Sequence, residues 1–273
     1  MFEFLQLEFN QRALLAAIFI GYSNGALGAL VVLRKNALMI SALAHSLLPG
    51  VAVAMLIFGG LNPWVGLLGS VVGALVVGLC TVYVARVGML DHQTSLTVLY
   101  TTSFAGGVLL LSKVPGLVKL ESWLFGNILA LRQMDLWINY GVAIILIFFL
   151  VWFRRQWILL LFEPTIAASM GVPVQRLNYV LTGLMVLGLV SSLQAVGAVL
   201  SAALFIIPAA TLLQWVNSPR ALIWGSGALG AGAGILAVMM SNWFNLQTGA
   251  TLILILGLVF AVSVAFRDKY VRI

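Results

Sequence analysis

Charge is what this sequence has least of: 8% of its 273 residues are Asp, Glu, Lys or Arg, where a soluble domain carries roughly a quarter. With 63% hydrophobic residues and a mean hydropathy of +1.14, too little polar sequence remains to cover a surface in water. Lipid must therefore be the solvent for most of the chain. The single cysteine, Cys80, lies in an apolar run and excludes an intramolecular disulfide. There is no phosphate loop of the G-x-x-x-x-G-K-[ST] form, and no Gly-Lys dipeptide at all, so the chain carries no P-loop ATPase of its own. H-E-x-x-H is absent too, and two histidines are too few for the His/Asp/Glu clusters of a membrane enzyme. The net charge of +7 comes from basic residues set singly or in pairs, with no aromatic-interleaved basic patch. That argues against nucleic acid as a partner and for topology signals at a membrane surface. The first ten residues hold Glu3 and Glu8 in place of a basic start, so no cleaved leader is expected.

What is there is a series of long apolar runs. A membrane span needs about 20 such residues, and the runs are 13–33, 37–58, 64–85, 95–112, 136–153, 177–194, 196–215, 221–240 and 248–266. The expected fold is therefore an all-α polytopic bundle of about eight or nine transmembrane helices, forming one membrane domain over residues 1–273. The stretch 120–131 is too short to cross unaided and reads as an interfacial or re-entrant piece. With nine spans, ten of the Lys and Arg residues fall on one side and four on the other, so the C-terminus is expected in the cytoplasm. The longest cytoplasmic loop, 154–176, contains Glu163-Pro164 and a helix-forming stretch closed by Gly171 and Pro173. It reads either as an amphipathic connector or as a docking element for a cytoplasmic partner. The GxxxG pairs Gly21/Gly25, Gly69/Gly73 and Gly230/Gly234 read as close helix packing in lipid.

All seven acids lie outside the span interiors, which speaks against proton- or sodium-coupled secondary transport. His45 stands out instead, about 12 Å in from the start of its span at 1.5 Å per residue. An ionisable group at that depth is a functional-site hypothesis by default. Ser41 lies one turn away on the same face. Pro49 cannot donate to the carbonyl of His45 and its ring pushes on it, and Gly50 should loosen the helix further. An imidazole beside a freed backbone oxygen is a plausible pocket for a cation; the plainer alternative is a histidine bonded across a helix interface. His92, after Asp91 in a cytoplasmic loop, reads as solvated or as part of a cap. Only Pro49 and Pro208 interrupt long apolar runs, one in each half of the chain, and paired interruptions of this kind mark a transporter's pathway. Gln194 and Thr211 are polar groups near the second one, with neighbouring backbone as their simplest partners.

Five ordered stretches then point to a family: Gly28-Ala-Leu-Val-Val-Leu-Arg34, Ala42-Leu-Ala-His45-Ser-Leu-Leu-Pro49-Gly50, Leu124-Phe-Gly-Asn-Ile-Leu129, Phe162-Glu-Pro-Thr-Ile-Ala167 with Gly171-Val172, and Val196 to Ala210 around Pro208. Over nearly its whole length the chain resembles the permeases of manganese/zinc/iron ABC importers. The resemblance implies a bacterial inner (plasma) membrane protein moving a divalent transition metal, with no permanently bound cofactor. It implies a second permease copy, identical or not, a cytoplasmic ABC ATPase and an extracytoplasmic metal-binding protein. Phe162, Glu163, Pro164, Ala167 and Gly171 match the family's ATPase-coupling element, and the His45 segment matches the helix with its pathway metal ligands. One departure matters: where the family usually has Asp four residues before the histidine, this chain has Ser41. Carboxylate suits Mn²⁺, and imidazole suits Zn and Fe, so the loss bears on metal identity. Because His45 must be neutral to coordinate, uptake is expected to fall below about pH 6.5. A metal-chelate permease and a secondary transporter are the rival readings.

Overall fold

The computed structural model describes residues 8–58, 63–111, 126, 128, 131, 133–162 and 164–271. These contain no strand, and their helices are α1 (Glu8–Leu33), α2 (Ala37–Phe58), α3 (Pro63–Val87), α4 (His92–Leu111), α5 (Gln133–Trp152), α6 (Arg154–Phe162), α7 (Pro164–Ser169), α8 (Val174–Val196), α9 (Ala198–Leu212), α10 (Pro219–Phe244) and α11 (Thr248–Val271). Each apolar run of the sequence has its helix. Seven of them are long and apolar enough to cross a membrane. The two that fall short do so for visible reasons. α9 has only 15 residues. α4 has 20 but is rich in Ser and Thr; Thr97 and Thr102 return their hydroxyls to the carbonyls of Gln93 and Val98, at 2.8 and 2.7 Å. Such back-bonding satisfies the hydroxyls without water.

α1 is the hub, packing most extensively on α10 and then on α9, α5 and α8, while α2 packs on α3 and α4. Helices in lipid associate by close packing, because the tails are as apolar as the side chains. At the α1/α10 seam a Cβ on Gly21 would sit 2.6 Å from the carbonyl oxygen of Gly230, and one on Gly25 would sit 2.5 Å from that of Ser226. Gly73 of α3 approaches Gly50 of α2 as closely, with 2.6 Å from its added Cβ to the Gly50 Cα. All three glycine pairs thus serve helix packing.

The main core gathers Leu27 and Leu30 of α1, Leu43 and Leu47 of α2, Leu146 of α5 and Phe205 of α9. Outward, Leu68, Val72, Val76 and Leu79 form an exposed apolar stripe along α3, and Leu254, Leu258 and Val262 another on α11. Lipid is the solvent such faces fit. Helix ends carry ordinary caps. The backbone N–H of Thr94 donates to the Asp91 carboxylate at 3.0 Å, and the Thr94 side chain also bonds it, holding that carboxyl below its usual pKa. Ser218 accepts from Ala221 N–H ahead of Pro219 at the start of α10.

Candidate cation-pathway site

α2 carries His45 to the seam with α4. Its ring is half-buried, stacked against Tyr100 at 5.9 Å between centroids and 18° between planes, with the edge of Phe104 at 5.3 Å and 75°. Ser41, also half-buried, lies one turn earlier on the same helix. Ser46 points elsewhere, donating to the carbonyl of Leu43 at 2.7 Å. Among the described residues no group of three or more His, Cys, Asp or Glu comes together. His45 and Ser41 are thus the two candidate site residues that α2 places one turn apart.

The expected helix breaks are corrected. α2 runs as one helix through Pro49 and Gly50, and α9 runs through Pro208. A proline removes a single N–H, and a helix in lipid can continue past it. Gly107 of α4 packs closely there: a Cβ on it would lie 2.7 Å from the Cα of Pro49. Gly50 does not loosen the helix but seats α2 on Gly69 and Gly73. The interruption in the second half is one turn before α9's first core residues, at Gly197, whose φ of 91° separates α8 from α9. Against it rests Gly126, φ 64°; a Cβ on Gly126 would lie 2.5 Å from the Val196 carbonyl carbon. Ile128 and Leu131 follow Gly126 into a second core with Ile20, Val196, Leu204 and Val238. These three residues are the described part of 120–131, and all three are buried. Thr211 takes the plainer role, donating to the Ile207 carbonyl at 2.7 Å; the side chain of Gln194 lies outside the described residues.

The 154–176 segment forms two short helices. Trp157 anchors α6: it is 2% exposed, and its indole N–H donates to the carbonyl of Phe149 at 3.2 Å. Ala167 is buried. α7 ends in a Schellman motif, with Val172 N–H bonded to the Ala167 carbonyl and Gly171 N–H to that of Ala168, both at 3.0 Å. Gly171, at φ 78°, takes the left-handed position and is exposed beside Ser169 and Met170. Glu163 and the side chains of Phe162, Pro164 and His92 lie outside the described residues.

The model of the ABC 3 transport family matches residues 6–267. The chain belongs to that family. It is 34% identical to the manganese import system permease protein ScaB of Streptococcus gordonii, over 99% of this chain and 98% of the relative. It is 31% identical to the manganese transport system membrane protein MntC of Halalkalibacterium halodurans, over 98% and 90%. Its fold matches a chain of PsaBC from Streptococcus pneumoniae, solved in complex with Fab, with a TM-score of 0.85 at 31% identity over 96% of this chain and 94% of that one. An inward-facing metal-chelate type ABC transporter shares the fold at a TM-score of 0.75 and 17% identity. This ABC 3 family member is thus a multi-pass membrane permease of the metal ABC importer type.

Several residues of the family member were not legible as site residues. Tyr100 and Phe104 hide in a run that reads only as half-polar. Gly197 and Gly126 matter through positive φ and mutual contact, neither of which local pattern reveals; the gap between the 177–194 and 196–215 runs was the available signal. One string, Gly21-Tyr-Ser23-Asn-Gly25, has the G-x-S-x-G form of a hydrolase elbow. It lies inside α1, where a strand-to-helix turn is impossible, and Ser23 donates to the Phe19 carbonyl at 2.7 Å.

Proposed function

We propose that this chain is the membrane permease of an ATP-driven importer for a divalent transition metal, manganese or zinc foremost and iron within reach. The observation that carries it is His45, an imidazole at mid-span depth on α2 in a chain similar along its length to manganese import permeases. Manganese is what those relatives are named for. Zinc is what the donors favour, since Ser41 leaves an imidazole without a carboxylate.

The cation arrives hydrated and exchanges part of its shell for the neutral nitrogen of His45 and for nearby oxygens. A single strong donor binds weakly enough to release the ion onward, as conduction requires. Energy comes from outside the chain: a separate cytoplasmic ATPase docks on the 154–176 segment, with Gly171 shaping the turn it meets. An extracytoplasmic binding protein delivers the ion, and a second permease copy, identical or not, completes the pathway. The C-terminus is cytoplasmic, because Arg267, Lys269 and Arg272 follow the last span.

The test is ATP-dependent uptake of labelled Mn²⁺, Zn²⁺ and Fe²⁺ into vesicles holding the permease with its ATPase and binding protein, for wild type and Ser41→Asp. Uptake of one ion by wild type supports the reading, and Ser41→Asp should lower KM for Mn²⁺ several-fold relative to Zn²⁺. Wild-type vesicles that move none of the three ions would refute it.

A further inference from the structure

We propose that Tyr100 and Phe104 are positioning residues that hold the His45 imidazole in one orientation at the α2/α4 seam. The proposal deepens the functional reading above and rests on it for its meaning in transport.

A metal-binding histidine is nearly always oriented by a hydrogen bond to its second ring nitrogen, from a carboxylate, a carbonyl or water. Here the position one turn earlier, Ser41, holds no carboxylate, and no group of three or more His, Cys, Asp or Glu gathers among the described residues. Two aromatic rings of α4 flank the imidazole. Tyr100 lies nearly parallel to it, 5.9 Å between centroids and 18° between planes, and Phe104 stands nearly perpendicular, at 5.3 Å and 75°. The two rings are four residues apart, so α4 presents them on one face as a bracket. The bracket cannot slide, because Pro49 rests on Gly107 one turn further along both helices, with no room there for a Cβ. One near-parallel and one near-perpendicular ring beside it leave the imidazole little freedom about χ2. Fixing a donor before the ion arrives removes an ordering cost from capture. The expected effect of losing a ring is therefore on KM, with Vmax kept.

The experiment uses the assembled transporter carrying His92→Gln, which leaves His45 as the sole histidine of the permease chain, and modification is read on the permease peptide that holds His45. Its carbethoxylation rate at fixed pH reports how freely the ring is presented, and uptake of Mn²⁺ and Zn²⁺ reports KM and Vmax. Tyr100→Leu and Phe104→Leu remove a ring while keeping apolar bulk; Tyr100→Phe keeps the ring and removes only the hydroxyl. Both Leu variants should speed modification and raise KM about three- to tenfold, the range that aromatic pair contacts are worth, with Vmax within about twofold. Tyr100→Phe should match its parent in both readouts, because the contact is through the ring. Unchanged modification in the Leu variants overturns the proposal, as does a Tyr100→Phe variant as impaired as Tyr100→Leu. A parent that moves no divalent ion sinks the functional reading alone, and the modification rates still decide whether the rings hold His45.

Discussion

α2 and α9 look alike in sequence and do different work. Each is an apolar helix with a proline inside, and each runs through that proline without breaking. In both, the carbonyl four residues earlier loses its donor. On α2 that residue is His45, half-exposed at a seam lined by two aromatic rings. On α9 it is Leu204, 1% exposed and followed by Phe205, whose backbone meets Gly28 of α1. The two differ in what stands beside the freed carbonyl: a half-exposed ionisable side chain on α2, and packed apolar residues on α9.

The sharpest way to break this contrast is to truncate the matching residue on each helix. His45→Ala should cut uptake about a hundredfold or more, beyond the 10- to 100-fold typical of losing only a ligand's outer partner, with melting temperature and ATPase assembly retained. Leu204→Ala should do the reverse, costing about 2 kcal/mol of stability and leaving KM unchanged in the protein that remains. Comparable KM effects from the two would mean that α9 lines the pathway as closely as α2.

A second variant sharpens the α9 side. Gly197 has φ 91° and ψ 160°, a region almost closed to other residues, and Gly126 packs directly on it. Gly197→Ala should cost about 1–3 kcal/mol from backbone strain, read as a lower melting temperature in detergent. A full-strength fold in that variant would show that the α8–α9 junction can relax, and that its position is not held by Gly126.

Much of this arrangement was readable from the residues alone, and the parts that were not share one cause. Spans are encoded locally, because lipid demands an apolar side chain at nearly every outward position; each run from 13–33 to 248–266 therefore found its helix. His45 was legible for the same reason, as an ionisable group where lipid tolerates few. The packing partner of Pro49 was not legible, because it is Gly107, 58 positions later in the chain. Nor were Tyr100 and Phe104, since a ring's role depends on which helix lies opposite. Gly126 and Gly197 are ordinary glycines until their backbones meet. Whatever depended on a residue's own polarity could be read from the chain; whatever depended on a distant partner needed the structure.

The smallest effect tests the prolines themselves. Pro49→Ala would return an N–H to the carbonyl of His45, and Pro208→Ala one to that of Leu204, each in a helix already continuous. Neither change should lower the melting temperature, since alanine is the better helix former. On α2 the restored bond occupies an oxygen beside the imidazole, so KM should rise about twofold, ~0.4 kcal/mol. On α9 the oxygen lies within packed helices, and uptake should not change. Equal KM values in the two variants would show that the carbonyl of His45 takes no part in capture, leaving the imidazole as the whole of what distinguishes α2 from α9.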